Sequence, residues 1–453
     1  MIGSNRYSVG LVVLTVLVGL AAAACGGSAQ DASEQESTSD AASARPTLSP
    51  PSPTAEPAPE AQPSPTDVPT DTPTPTEVPV VESESSEGTQ PVTDALLSGR
   101  SPDDMLAAEL VGLKGGINSE PFTLESQRGT VVLIDFWTYT CINCIRTLPY
   151  LKEWHEKYAD KGLVILGVHT PEFAFEKVFE NVAEAVERFG LKYAIVQDNE
   201  YGTWKAFNNR YWPAKYLIDA NRTIRYSHFG EGAYDETEEA IRELLVEAGY
   251  DIQGIPVGTD PGPEISEAAR AAPGSTGFTR ELYAGYERNY GMLQSRRAPP
   301  YVRHIEYYED LDADISYVDP GEHDNHFIYL QGLWRNEAEN LVHARATEDY
   351  EDYIAIKYYG TSVNGVMTPQ DGASYRVRVT LDDQPVPADR AGIDIKYDDE
   401  SQSYVEVDVA RMYFLIEQTF GSGELKLSSN SPEFSLFAFT FGSYEDGEPG
   451  TEG

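Results

Sequence analysis

The sequence predicts an α/β domain with a parallel core sheet, followed by an antiparallel β-sandwich. The α/β domain is indicated by apolar runs of strand length that alternate with helical periodicity between residues 101 and 250. The sandwich is indicated by short alternating runs, separated by turn residues, between residues 278 and 445. Residues 25–95 are rich in Pro, Ser and Thr and bury too little apolar surface to fold, which predicts a disordered tether before both domains.

The central feature is the passage from an apolar run, Val131–Trp137, to a pair of cysteines, Cys141 and Cys144. The run has the length of a strand buried on both faces, and residues 145–158 carry apolar side chains at helical spacing. Cys141 therefore stands where a strand gives way to a helix. Unpaired N–H groups at a helix start favour an anion, so a modestly lowered pKa is expected for Cys141. Cys144 lies one turn further on and can close a small disulfide ring.

The other elements follow from periodicity and turn signals. Strands are predicted at Leu163–His169, Tyr193–Gln197, Lys215–Ile218 and Thr223–His228, and helices at Glu176–Phe189, Tyr201–Asn208 and Glu236–Ala248. Residues 109–112 and 122–124 predict a small hairpin before the first buried strand. A Pro- and Gly-rich linker covers residues 251–277, the sandwich covers 278–445 and an acidic tail covers 446–453.

The net charge and the number of cysteines exclude several classes of function. The 453 residues include 33 Lys and Arg against 74 Asp and Glu, a net charge of −41. Nucleic acid is therefore excluded as an expected partner, because phosphate contact needs clustered cations. The chain has 3 cysteines, and Cys25 belongs to the N-terminal targeting segment. The neighbouring pair is therefore left for redox chemistry, with no further cysteine for a structural disulfide. We expect no metal and no cofactor other than a redox-active disulfide between Cys141 and Cys144; a two-thiolate metal corner is the alternative.

The N-terminus has the pattern of an exported, lipid-anchored protein. Residues 1–24 combine a short cationic start with an apolar run ending in small residues, which predicts a signal peptide. Cys25 follows directly, and the junction resembles a bacterial lipobox, although Ala22 stands where that motif more often has Leu. We expect cleavage before Cys25 and its diacylation, with an uncleaved anchor or an ordinary signal peptide as alternatives. A polyproline tether of about 65 residues could reach on the order of 200 Å from the membrane.

The motif around the cysteines resembles thioredoxin: D-F-W-x-x-x-C-x-x-C, with Pro149 eight residues after Cys141. The segments Trp137–Cys144 and Gly167–Phe173 further resemble the extracytoplasmic DipZ-type proteins, relatives of the TlpA-like reductases. This likeness is strong over residues 106–249 and weaker up to Phe441. It implies a thioredoxin fold with a mixed central sheet and flanking helices. It also implies a jelly-roll-like C-terminal sandwich similar to carbohydrate-binding modules.

The resemblance also implies roles for individual residues. Cys141, nearer the helix start, is the expected nucleophile and Cys144 the resolving thiol. Asp135 matches the buried carboxylate that takes the proton of the resolving cysteine; a structural strand-end carboxylate is the alternative. Trp212-Pro213 matches a cis-proline that faces the cysteines, where the residue before proline offers backbone groups to a peptide.

Other side chains are weaker candidates for substrate contact. Trp137 and Tyr139 flank the cysteines and could form a docking surface, with plain packing as the equal alternative. His169 and Glu172 follow the second strand and so lie at the same sheet edge; a structural histidine is favoured at His169. In the sandwich, Trp334 and the pair 358–359 could form a sugar platform, although aromatic residues there more often belong to the core.

The sequence thus predicts an extracytoplasmic thiol–disulfide oxidoreductase that reduces protein disulfides. Its expected partners are protein thiols or disulfides and a separate membrane electron donor of CcdA type. DipZ-type proteins carry a membrane electron-transfer domain on their own chain, and this sequence departs from them because it predicts no transmembrane helix after residue 24. Two alternatives stay open. One is a cell-envelope glycan-binding protein with an accessory redox domain. The other is a thiol peroxidase, suggested by the T-x-x-C pattern ending at Cys141 but lacking the proline expected at Ile134.

Overall fold

The computed structural model describes residues 106–258, 277–296, 298–369 and 372–444. The predicted signal peptide, Cys25, the tether, most of the linker and the acidic tail lie outside these ranges. Within them the chain forms an α/β region, whose last helix ends at Glu247, and a β-rich region that begins at residue 277.

A mixed six-stranded sheet organises the α/β region. Its elements are β1 Lys114–Ile117, β2 Val131–Trp137, α1 Ile142–Tyr158, β3 Leu163–His169, α2 Phe179–Arg188, β4 Ala194–Gln197, α3 Gly202–Ala206, β5 Ala214–Ile218, β6 Ile224–Phe229 and α4 Tyr234–Glu247. The strand order is β1-β4-β3-β2-β5-β6, with β2, β3 and β4 parallel and the others antiparallel to their neighbours. The expected α/β fold with a mixed central sheet is confirmed.

Strand β2 is central because all seven of its residues are buried. Alternate side chains point to opposite faces, as the strand period of two requires. Leu133 and Trp137 pack with α1, α2 and α4 on one face, whereas Ile134 and Phe136 pack with Trp204 of α3 on the other. The cysteines at the end of β2 therefore rest on a core that is closed on both sides.

The predicted hairpin before β2 is wrong. Residues 109–113 form no strand, and β1 pairs antiparallel with β4. The carboxylate of Glu109 accepts hydrogen bonds from the backbone N–H groups of Leu110 and Leu124, at 3.0 and 2.7 Å. The Glu109 side chain thus binds backbone N–H groups that would have been paired between the two strands of a hairpin.

The second region is an antiparallel β structure with a core of its own. Its elements are β7 Leu282–Tyr283, α5 Tyr286–Ser295, β8 Asp314–Tyr317, β9 Ile328–Asn336, β10 Leu341–His343, β11 Tyr353–Pro369, β12 Tyr375–Leu381, β13 Gln384–Pro385, β14 Lys396–Tyr397, β15 Ser403–Val407, β16 Arg411–Ser428 and β17 Phe434–Gly442. The long strands β11 and β16 pair along most of their length, and β11 also pairs with β9 and β17. Trp334 and Tyr358 are buried in this core, so the packing interpretation applies to both and neither offers a sugar platform.

The β structure packs directly against the start of α1. Ile142 and Ile145 share an apolar cluster with Val366, Met412 and Phe437 of the sandwich. Polar contacts surround this cluster, and each joins the two domains. The Arg146 guanidinium donates to the carbonyl of Phe441 at 3.3 Å, the N–H of Ala174 donates to Glu339 at 2.8 Å, and Arg288 pairs with Glu172 at 2.6 Å. The second domain therefore lies beside the cysteine pair.

We expect Phe437→Ala to weaken this interface. Phe437 is 7% exposed, and its ring meets Phe173 and Phe175 edge-on at centroid distances of 5.2 and 4.8 Å. Removing a buried ring should lower the free energy of unfolding by about 3 kcal/mol, measured by urea denaturation. The control Phe278→Ala, at a ring that is 36% exposed, should change it by less than about 1 kcal/mol. Equal losses in the two variants would contradict this view of the interface.

Candidate active site

Cys141 occupies the N-cap of α1, and Cys144 lies in its first turn. Cys141 has an extended backbone (φ −83°, ψ 112°), and the N–H of Cys144 donates to its sulfur at 3.3 Å. Both cysteines are free thiols; Cys141 is partly exposed and Cys144 is buried. An approaching sulfur can therefore reach Cys141 first, whereas the Cys144 thiol is sheltered next to Cys141.

Burial dominates the acidity of both thiols. It raises the pKa of Cys141 above its ordinary value, and hydrogen bonds from the thiol and N–H of Cys144 oppose the rise. The nearby Glu281 and Glu172 raise the pKa of Cys141 further. The modest lowering expected from the helix start is thus wrong in direction, because desolvation outweighs the N-terminal amides. Burial also raises the pKa of Cys144 well above its ordinary value.

Asp135 is buried in β2, and neither carboxylate oxygen has a hydrogen-bond partner among the described residues. Burial raises its pKa to about 7, and the charge of Lys215 opposes the rise. Its charge also acts on the Cys144 thiol. A carboxyl that titrates near neutrality beside a resolving thiol is suited to accept that thiol's proton.

Lys215 is a site residue that the sequence interpretation missed. It lies directly opposite Asp135 in the β2–β5 pairing, is fully buried, and its Nζ has no hydrogen-bond partner within the described ranges. Burial lowers the pKa of Lys215, and Asp135 counteracts this effect. The sequence did offer a signal for this role, because Lys215 lies inside an otherwise apolar strand. A lysine is rarely buried unless it has a charged partner.

A small cavity of about 70 Å³ opens at Cys141. Its lining comes from both domains: Thr140, Cys141, Asn143, Glu172, Phe173, Trp212, Glu281, Tyr283, Val366, Ala438 and Thr440. The peptide bond between Trp212 and Pro213 is cis, as the resemblance implies. Trp212 and Glu172, both predicted as substrate contacts, thus lie at the cavity, whereas Pro213, also predicted as one, is buried and does not line it.

The loop after β3 is tied to the cysteine turn by Glu176, a second residue that sequence reasoning missed. Glu176 is fully buried, and its carboxylate accepts hydrogen bonds from the Thr140 hydroxyl and from the N–H groups of Glu172 and Phe173. Since Thr140 precedes Cys141, this carboxylate holds Glu172 next to the redox pair. Burial raises the pKa of Glu172 to about 7, with Arg288 opposing.

Three aromatic or histidine candidates belong to the core. Trp137 is 0% and Tyr139 1% exposed, so the expected docking surface is not formed by them and packing accounts for both. Their rings enclose His169, each at a centroid distance of 5.5 Å. Burial lowers the pKa of His169 to about 3, so this side chain is neutral. His169 is therefore a buried structural histidine, in agreement with the interpretation that the sequence favours.

A larger cavity lies away from Cys141. It measures about 760 Å³ and is lined by α1, α2 and sandwich residues, including Tyr139, Arg188 and Arg411, but by neither cysteine. We therefore assign the redox site to the smaller cavity, because that cavity contains the reactive sulfur of Cys141. No group of three or more His, Cys, Asp or Glu residues within the described part of the chain could hold a metal ion. No helix in those ranges is long and apolar enough to cross a membrane.

Comparison with known proteins finds relatives of both domains. The AhpC/TSA family matches residues 106–227, and a family described as thioredoxin like C-terminal domain matches residues 279–442. Protein DipZ of Mycobacterium tuberculosis is 44% identical over 285 residues, which cover 62% of this chain. The match spans 37% of the length of DipZ.

Two further comparisons each cover about a third of this chain or less. The thiol–disulfide oxidoreductase ResA of Geobacillus kaustophilus is 30% identical over 123 residues, covering 27% of this chain and 67% of ResA. The crystal structure of a putative thiol:disulfide interchange protein DsbE from Chlorobium tepidum is 21% identical. It covers 32% of this chain and 94% of that one, with a TM-score of 0.28.

Proposed function

We propose that this chain, which belongs to the DipZ- and ResA-like thiol–disulfide oxidoreductases, reduces disulfide bonds of extracytoplasmic proteins. The observation that carries the proposal is the free Cys141–Cys144 pair at the start of α1, with the unpartnered carboxylate of Asp135 acting on Cys144. A reachable thiol, a sheltered second thiol and a proton acceptor are the three groups that disulfide exchange requires.

The reaction proceeds in two balanced steps. Cys141 gives up its proton to solvent, and its thiolate attacks one sulfur of the substrate disulfide to form a mixed disulfide. The S–S bond of the substrate breaks, and the other substrate sulfur leaves as a thiolate that takes a proton from water. Asp135 then takes the proton of Cys144, and the resulting thiolate attacks the Cys141 sulfur. This closes the Cys141–Cys144 disulfide and releases the second substrate thiol. One electron pair has passed from the enzyme to the substrate.

The acidity of Cys141 supports the reducing direction of electron flow. A strong oxidant stabilises its reduced form through a thiolate of low pKa. Here burial and two nearby carboxylates raise the pKa of Cys141, so the dithiol is not stabilised in this way. The pair is therefore suited to give electrons. A membrane dithiol donor of CcdA type restores it, and a lipid on Cys25 keeps the enzyme on the outer side of the membrane.

A cleft on the sandwich favours a second candidate function, binding of a cell-wall glycan. It measures about 600 Å³ and is lined by Phe327 and Tyr359 together with Arg280, Asn325 and Lys357. Aromatic rings beside polar side chains suit a sugar surface. This binding would accompany the redox reaction and would hold the enzyme near its substrates.

A single-turnover experiment tests the redox proposal. Full-length protein is reduced, freed of reductant and mixed with excess insulin, and the new insulin thiols are counted. One disulfide should be reduced per protein chain, with Cys141 and Cys144 ending as a disulfide in the mass spectrum. Glycan binding without any gain of insulin thiols would instead favour the binding protein as the main function.

A further inference from the structure

The second domain forms one wall of the cavity at Cys141. Glu281 and Tyr283 lie in and beside β7, and Val366, Ala438 and Thr440 lie on the long strands of the sandwich; all five line this cavity. The apolar cluster at Ile142 and the ion pair between Arg288 and Glu172 hold this wall in place. A substrate that reaches Cys141 must therefore touch the sandwich domain as well as the thioredoxin-like domain.

The size of the cavity limits what can enter. A volume of about 70 Å³ has room for a few water molecules or for one small side chain. A folded protein surface cannot follow its cysteine into such a space. An extended segment can lie across the mouth, on the side of Trp212, and insert one side chain.

The mouth carries an unbalanced negative charge. The carboxylate of Glu172 is paired with Arg288, whose guanidinium also lies over the Tyr283 ring at 4.5 Å. Glu281 accepts a hydrogen bond from the Tyr283 hydroxyl at 3.0 Å, but it forms no ion pair among the described residues. A carboxylate that forms no ion pair within the described part of the chain thus lies next to the reactive sulfur, where it can attract a cation on the substrate.

We propose that Glu281, supplied by the second domain, determines the specificity of the redox site by selecting an extended cysteine-bearing segment with a lysine or arginine beside its cysteine. This inference rests on the proposed disulfide reductase function and names its substrate class. A single partly exposed ion pair gives up to about a fivefold preference over a neutral residue. Added salt reduces the preference, because the mouth is open to solvent.

Three peptide disulfides test the proposal with the full-length chain. They are identical except for the residue after the cysteine, which is lysine, glutamine or glutamate. The readout is kcat/KM for each peptide, expressed as the lysine-to-glutamate ratio within one variant, so that a partial loss of folded protein cancels. We expect a ratio of about five for the wild type at low salt, because Glu281 attracts the lysine and repels the glutamate.

Variants at Glu281 locate the origin of this preference. The ratio should fall to about one in Glu281→Gln and drop below one in Glu281→Lys, since the attraction is removed or reversed. The control is Glu287→Gln, which removes an exposed carboxylate that does not line the cavity, and it should keep the wild-type ratio.

The outcomes separate this inference from the proposed function. Turnover of all three peptides at equal rates by the wild type would overturn the inference and leave the reductase intact. An unchanged ratio in Glu281→Gln would do the same, because the preference would then come from another residue. Absence of turnover with every peptide would overturn both proposals.

Discussion

Replacing Cys141 with serine is expected to lower the rate of insulin reduction by at least about a thousandfold, since a hydroxyl cannot form the mixed disulfide. Cys141 is the cysteine of the pair that is partly exposed, and the cavity between the domains opens on it. The measurement is steady-state reduction of insulin by full-length protein supplied with a dithiol. Folding is verified by an unchanged urea transition, because serine differs from cysteine by one atom.

The matched variant is Cys144→Ser. It keeps the attacking sulfur but removes the resolving one, so the first step proceeds and the second does not. We expect a mixed disulfide between Cys141 and the substrate to accumulate, visible by intact mass and released by added dithiol. Accumulation of this species in Cys141→Ser, and not in Cys144→Ser, would reverse the assignment of the two thiols.

Replacing Asp135 with asparagine is expected to slow the resolving step about a hundredfold near pH 8, because Cys144 then lacks its proton acceptor. Burial raises the pKa of Asp135 to about 7, so its carboxylate is free to accept a proton only above that pH. The wild-type rate should therefore rise through about pH 7 and level off. Rapid-mixing measurements of the release of the second substrate thiol across pH 5 to 9 provide the check.

Lys215→Met provides the companion to that experiment. The charge of Lys215 lowers the pKa of Asp135, so its removal should move the inflection of the pH profile above 7. Asp135→Asn should show no such inflection at all. A profile for Asp135→Asn that still bends near pH 7 would assign the titration to another group and remove Asp135 from the mechanism.

The same shift in acidity affects stability. Because burial raises the pKa of Asp135 from 3.8 to about 7, the folded chain holds this proton more tightly than the unfolded chain does. This group therefore makes the free energy of unfolding fall as the pH rises from about 4 to about 7. A buried carboxylate that reduces stability at neutral pH is consistent with a functional role and not with a role in folding.

Local sequence patterns were sufficient to predict the two strands and the helix next to the redox pair. Val131–Trp137 and Leu163–His169 were predicted with the bounds that the structure shows, because each is an apolar run that ends at polar or turn residues. The helix after Cys141 was found from its spacing and begins at Ile142, directly after that residue. The hairpin at residues 109–124 failed, since the carboxylate of Glu109 replaces a ladder there.

The sequence by itself thus determined that two thiols stand at the start of a helix directly after a buried strand, and that this strand carries an aspartate. These residues lie within ten positions of one another, so local patterns were enough. Only the tertiary structure decided that Lys215 faces Asp135, that Trp137 is buried, and that Ala438 and Glu281 line the cavity at Cys141. These relations join residues that are far apart in the chain. They depend on strand register and on how two separate cores pack against each other, which periodicity does not encode.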